Sequence, residues 1–300
     1  MLNRIQRWIS EPPPDRVFEI TENYLAAVSP SDPEQSRLEV LEERSLAPSP
    51  SAPNLLRPQL YRDALTRIAP SNDRRHTAAL VIPDYAVRMA VLDFEEFPSG
   101  EEDRISLLRF RLRKSVPFHI EEAQLAYSIQ MEGPKRIEAL AVAIARPILD
   151  EYESLFLDAG YRVGVVTPSC IAALPLYIAG ESGLTLVAKM AGSTLSMLLI
   201  QERRVRLIRC LDLAAGEEQG LQRSDEGVLA FVQQTVAFAE DQIGSPVKRI
   251  LLSGFGAQTD AIGKTAEQEF RIPYAPVRSR FGAPSQANAG LLGLLEQYAA

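Results

Sequence analysis

The chain has 300 residues, 46% of them hydrophobic, and a formal net charge of -7. That length suits two domains at roughly 100–200 residues each, and the apolar content excludes a disordered chain. The acidic balance argues against a nucleic-acid binder, which carries a strongly basic face, and no apolar run approaches the ~18 residues of a membrane span.

Leu2, Ile5, Trp8 and Ile9 fall at helical spacing with Arg4 and Arg7 between them. Residues 1–15 therefore read as a short helix, either a foot on a membrane surface or a segment packed on its own domain. Ser10, Glu11 and Pro12 to Pro14 interrupt it too early for a signal peptide, so a cytoplasmic location is expected. Arg16 to Val28 reads as a strand, a turn at Thr21 to Asn23 and a second strand. The proline- and serine-rich stretch 30–60 reads as extended connections, and helix signals resume at Leu60 to Ile68.

Ala78 to Ile82 and Arg88 to Phe94 read as strands around a turn at Pro83 and Asp84. Glu101 to Ser115 reads as a helix stopped by Pro117, and Leu125 to Gln130 and Ile137 to Ala145 as strands, the second apolar enough for burial on both faces. Pro147 suits the first turn of a helix whose left-handed cap is Gly160, and Tyr161 to Val166 is a strand.

The second half repeats this order. Leu184 to Ala188 and Thr194 to Ile200 flank a small-residue turn, and Val205 to Leu211 follows as a third strand. A helix over Glu226 to Ile243, a strand over Arg249 to Ser253 and a helix over Gln258 to Phe270 come next. A short strand near Tyr274 to Val277 and a final helix over Ala287 to Tyr298 close the chain. Strands alternating with helices indicate α/β layers, and a duplicated plan indicates two related lobes with a cleft between them.

Familiar catalytic and metal-binding patterns are missing. His76 and His119 have no cysteine or carboxylate partner at metal-site spacing, and CxxC, HExxH, GxSxG and GxxxxGK[ST] do not occur. The pairs Glu95-Glu96, Glu101-Glu102 and Glu121-Glu122 read as solvated faces. Cys170 and Cys210 lie in apolar runs, as free buried thiols in a reducing compartment or as one buried bridge. No catalytic residue, enzyme activity or metal site is expected.

Three stretches resemble the PilM family of type IV pilus assembly. They are Ala79-Leu80-Val81-Ile82-Pro83 with the following strand and Glu96-Phe97-Pro98, then Arg113 to Glu122, and then Glu138 to Ala173 with Asp158-Ala159-Gly160. The segment Pro117-Phe118-His119-Ile120-Glu121-Glu122 is the most specific of these, and the similarity covers most of residues 15–298. The resemblance implies an α/β, actin-like ATPase (ribonuclease H-like) fold of two duplicated lobes, related to FtsA and to the GspL cytoplasmic domain. Residues 1–15 are expected as a tail and 16–183 as the first lobe, with an inserted small subdomain at about 78–165. Residues 184–285 are expected as the second lobe and 286–300 as a helix returning to the first.

The family's fold holds ATP and magnesium between two phosphate hairpins and an adenosine loop, and this chain departs from that pattern. In the first hairpin Glu19 stands for the acidic residue, Thr21 replaces the glycine, Ala26 the lysine, and Glu22 adds a carboxylate that would repel phosphate. In the second, Lys189 replaces an acidic residue ahead of Gly192, Ser193 and Thr194. Lys189 reads either as a phosphate contact or as a solvated lysine at a strand end. The adenosine loop survives best, in Gly254-Phe255-Gly256. Weak or absent nucleotide affinity and lost hydrolysis are expected, so no cofactor is assigned and ATP with magnesium stays the alternative.

Arg104, Arg109, Arg111, Arg113 and Lys114, and separately Arg203, Arg204, Arg206 and Arg209, form basic runs that read as solvated faces or as contacts for anionic lipid or an acidic partner. The resemblance implies a partner, the cytoplasmic N-terminal peptide of a PilN-like inner-membrane protein. Val116, Pro117, Phe118 and Ile120 are the candidates to contact it, or else a connection packed on the small subdomain. The expected role is a scaffold at the inner face of the inner membrane, alongside other pilus proteins and touching the membrane only through them. The alternatives are an actin-like ATPase and a GspL-like type II secretion component. GspL continues into a membrane span, and FtsA ends in a membrane helix, neither of which is matched before Ala300.

Overall fold

The computed structural model describes residues 12–70, 76–134, 136–178, 183–214 and 225–298. The helix expected at 2–9 lies outside them. Central strands buried on both faces build the first lobe. β1 (Arg16–Ile20) and β2 (Tyr24–Ser29) pair antiparallel, and β3 (Asp32–Val40) continues the meander. Helix α1 (Pro58–Ile68) opens on its proline, and β4 (His76–Ile82) and β8 (Tyr161–Pro168) add parallel strands in the order β3-β2-β1-β4-β8. Helix α3 (Arg146–Asp158) packs with α1 on one face of this sheet, Tyr61, Tyr152 and Phe156 meeting Phe18 and Leu80. Gly160 follows it at φ +89, as the capping signal predicts.

Residues 32–40 form a strand where a connection was expected. Its nine residues are mostly exposed and begin with an aspartate and a proline, so the apolar alternation that marks a strand is missing.

Between β4 and β8 a separate antiparallel sheet is built from β5 (Arg88–Phe94), β6 (Gln124–Gly133) and β7 (Arg136–Ile144), with β7 central. Helix α2 (Glu101–Leu112) covers it, with acidic residues in its first turn and arginines in its last to complement the helix dipole. Strands β4 and β8, at the ends of the expected insert 78–165, pair in the first-lobe sheet instead, so the separate sheet draws on 88–144.

Two single-turn helices, α4 (Ser169–Ala172) and α5 (Leu174–Tyr177), lead to the second lobe. β9 (Leu184–Ala191), β10 (Thr194–Gln201) and β11 (Arg204–Asp212) form a second meander, and β12 (Val247–Ser253) and β13 (Tyr274–Pro276) extend it in parallel. The order β11-β10-β9-β12-β13 repeats the first lobe strand for strand. Helices α6 (Asp225–Phe238) and α7 (Thr259–Phe270) cover the outer face, and α6 runs on as a π turn over Ala239–Ile243. Helix α8 (Ala289–Tyr298) returns to α4 and α5. The inner faces of both sheets share one core with these three helices, including Val17, Val81, Val187, Leu198, Leu251 and Leu291.

Candidate functional site

The period-2 pleat decides which side chains meet between the lobes. In β1, Phe18 and Ile20 point to the outer core, so Glu19 shares the inner face with Val17. In β9, Lys189 follows Val187 inward, and in β10, Ser196 precedes Leu198 on the same side. Glu19, Lys189 and Ser196 thus fall on largely apolar inner faces. Asp84 comes from the 3-10 turn Asp84–Ala86 that ends β4.

These groups satisfy one another. The Lys189 ammonium lies 3.0 Å from Asp84 Oδ2, with both side chains 1% exposed. Ser196 Oγ donates to the same oxygen at 2.7 Å, and the Cys170 amide donates to Oδ1 at 2.7 Å. Ser169 Oγ donates to Glu19 Oε1 at 2.5 Å and the Leu291 amide to Oε2 at 2.8 Å. Burial pushes the Glu19 carboxyl above its ordinary range, and the Lys189 ammonium with the two hydrogen bonds offsets only part of that. Burial pulls Lys189 down, but Asp84 and Glu19 outweigh it and hold the ammonium above an ordinary lysine. Burial, then contact with the Cys210 thiol and the Asp84 charge, push Cys170 well up, so it stays a thiol. Both cysteines are free.

Further out, the two hairpin turns meet. Thr21 closes the first by donating its amide to Tyr24 O at 3.0 Å. Glu22 extends across the cleft and accepts from the Ser193 amide at 2.6 Å and from Ser193 Oγ at 2.5 Å. Arg44 Nε lies 2.9 Å from the other Glu22 oxygen. The Thr21 and Thr194 hydroxyls are buried and make no hydrogen bond among the described residues. The loop after β12 lies beside them. Gly254 has φ +80, and a Cβ there would come within 2.0 Å of Met190 O, so only glycine permits this approach. Gly256, at φ +56, opens the 3-10 turn Gly256–Gln258.

Twin five-stranded sheets with a cleft between their first hairpins define the architecture, and solved structures share it. A protein of a PilM–PilN type IV pilus biogenesis complex matches at TM-score 0.74 and 15% identity, covering 97% of this chain and 100% of that one. The fold is actin-like. A Bacteroides thetaiotaomicron protein with an actin-like ATPase fold and unknown function matches at TM-score 0.55 and 10% identity, over 94% of this chain and 95% of its own. The cytoplasmic domain of EpsL, an inner-membrane component of the Vibrio cholerae type II secretion system, matches at TM-score 0.50 and 12% identity, over 96% and 94%. No family model and no curated protein matches the sequence.

Within this actin-like frame Glu19, Thr21, Lys189, Gly192, Ser193 and Thr194 do converge on one cleft, with Gly254 and Gly256 at its edge. Lys189 corrects the second of its two readings, the solvated lysine: it is sealed between the sheets on the Asp84 carboxylate. Asp84, Ser169, Ser196 and Arg44 were missed. Asp84 hid in a Pro-Asp turn, and its signal was indirect, because a lysine inside an apolar strand needs a buried partner.

Of the partner-binding candidates, Ile120 is buried in the small sheet's own core, Val116 and Phe118 pack against that core, and Pro117 is exposed. Much of the two basic runs engages the chain itself. Arg104 stacks on Phe97, Arg111 on Phe94 and Arg209 on Phe238, while Arg206 faces buried Glu138. Among the described residues no helix is long and apolar enough to cross a membrane.

Proposed function

We propose that the chain is a non-catalytic scaffold of a type IV pilus inner-membrane assembly complex, acting at the cytoplasmic face and binding the N-terminal peptide of a PilN-like membrane protein. The observation that carries this reading is the end-to-end likeness in fold to the PilM–PilN complex protein. The charge pattern of the cleft supports the absence of catalysis. Magnesium triphosphate needs carboxylates free for metal-bound water and turn amides free for phosphate. Here Lys189 already neutralises Asp84, and Glu22 already takes the Ser193 amide. The residues present do not fit the group, and no chemical step is assigned to the site. In this reading residues 16–183 and 184–285 act as one docking body, with the small sheet and the 116–120 segment beside the peptide groove.

The test is co-purification of the full chain with PilN-like inner-membrane proteins, followed by titration with their N-terminal peptides. Saturable peptide binding with no heat from Mg-ATP is the expected result. Micromolar Mg-ATP binding, or phosphate release above background, would reject the non-catalytic part. The likeness to the EpsL cytoplasmic domain favours a second reading, a type II secretion component, and selective capture of a secretion-system membrane protein would establish it instead.

A further inference from the structure

The turn at 191–194 has the construction of an oxyanion site. Gly192 sits at φ +59, and a Cβ there would lie 2.6 Å from the Glu22 carboxyl carbon, so the missing side chain is what admits the carboxylate. Ser193 aims both its amide and its hydroxyl at one Glu22 oxygen, at 2.6 and 2.5 Å. Arg44 Nε meets the other oxygen at 2.9 Å, and its Nη2 reaches Ser193 Oγ at 3.4 Å. Backbone amides in a turn, a hydroxyl and a guanidinium are the groups proteins use to hold oxyanions.

The occupant is fixed before it arrives. The Glu22 carbonyl accepts from the Ser45 and Leu46 amides at 2.8 and 3.2 Å, and Tyr61 Oη donates to the neighbouring Thr21 carbonyl at 2.5 Å. Both anchors belong to the first lobe, whereas the Ser193 turn belongs to the second. The side chain is 8% exposed, so its contacts with the turn are largely shielded from water.

We infer that the 191–194 turn is an oxyanion-binding site occupied by the chain's own Glu22, which thereby clamps the two lobes together and excludes phosphoryl ligands. This rests on the reading of a cleft that holds no nucleotide. Removing the carboxylate frees one amide, one hydroxyl and one arginine for a small multivalent anion, while the deeper Asp84–Lys189 pair still joins the lobes.

Full-length wild type, Glu22→Ala and Arg44→Ala are compared by hydrogen exchange and by thermal denaturation with and without inorganic pyrophosphate. Losing charge-assisted bonds of this kind should speed Ser193 amide exchange about tenfold or more in Glu22→Ala. Pyrophosphate should raise the melting temperature of that variant and leave wild type unmoved. Arg44→Ala, altered at a half-exposed side chain, should show the same acceleration to a smaller extent, and it decides the question if Glu22→Ala does not fold. Unchanged Ser193 exchange in both variants overturns the inference, as does equal stabilisation of wild type and Glu22→Ala by pyrophosphate. Peptide capture enters neither measurement, so a failed clamp and a failed partner assignment are told apart.

Discussion

Lys189 carries the largest single-residue consequence. Removing one member of a buried pair strands its partner's charge, which costs about 3–5 kcal/mol. Lys189→Met should therefore destabilise by about that much in urea denaturation. Asp84→Asn should recover part of the loss in the double variant, because the residual hydrogen bonds to Ser196 and Cys170 need no charge. Additive losses in the double variant would show that the pair is not coupled. Glu19 predicts a pH effect of opposite sense to an ordinary surface carboxylate. Its folded pKa lies above the ordinary value of 4.5, so the native state binds the proton more tightly than the unfolded chain. Its contribution is fully present below 4.5 and is lost as pH rises through the folded pKa. The stability of wild type relative to Glu19→Gln should therefore increase as pH is lowered from neutral towards 4.5, and a flat difference would contradict the shift. At this scale the sequence told which positions depart from the family pattern, because departure is a matter of residue identity. It did not tell what they contact, because Asp84 and Lys189 are 105 residues apart.

Apolar runs and periodicity exposed most of the described helices and strands, several strands being buried on both faces, and prolines mark the starts of α1 and α3. The failures have local causes: β3 lacks an apolar face, and the π turn after α6 keeps helical spacing while changing its hydrogen bonding. The β10–β11 hairpin turn was legible only as a gap between strands. Glu202 and Arg203 both adopt positive φ there, at 50° and 64°, a geometry for which asparagine and glycine are preferred. Arg203→Gly should relieve that strain and raise stability by about 0.5–1 kcal/mol in thermal denaturation, and a loss of stability would mean that the arginine contributes contacts outweighing it. A cross-sheet device was invisible to pattern reading. Gln130 in β6 donates to Val205 O at 2.9 Å and accepts from Val205 N at 2.8 Å, so one side-chain amide caps the open edge of β11. Gln130→Ala should cost about 1–3 kcal/mol by leaving both backbone groups unpaired, with faster Val205 amide exchange as the specific readout.

The duplicated plan was legible in the sequence because element order survives where residue identity does not. How tightly the lobes join was not, since each inner-face residue looks like any other buried aliphatic until its opposite number is known. One core contains residues from both sheets, from α8 and, at Leu140, from β7, whereas the buried members of the core between α2 and the small sheet all come from that sheet's own stretch, 94 to 143. Cooperative units follow shared cores, so the two lobes should open as one body and the small sheet separately. Leu291 and Leu108 are each 0% exposed, one in each core, and truncating a buried leucine costs about 2–5 kcal/mol. Leu291→Ala should lower native-state exchange protection in β1, β4, β9 and β10 together. Leu108→Ala should lower it in β5, β6 and β7 and leave the lobe strands protected. If Leu291→Ala loosened only the first-lobe strands, the lobes would be independent bodies hinged at the cleft. Polar links such as those of Glu22, Asp84 and Gln130 would then bear the connection, instead of reinforcing an interface that apolar packing already holds closed.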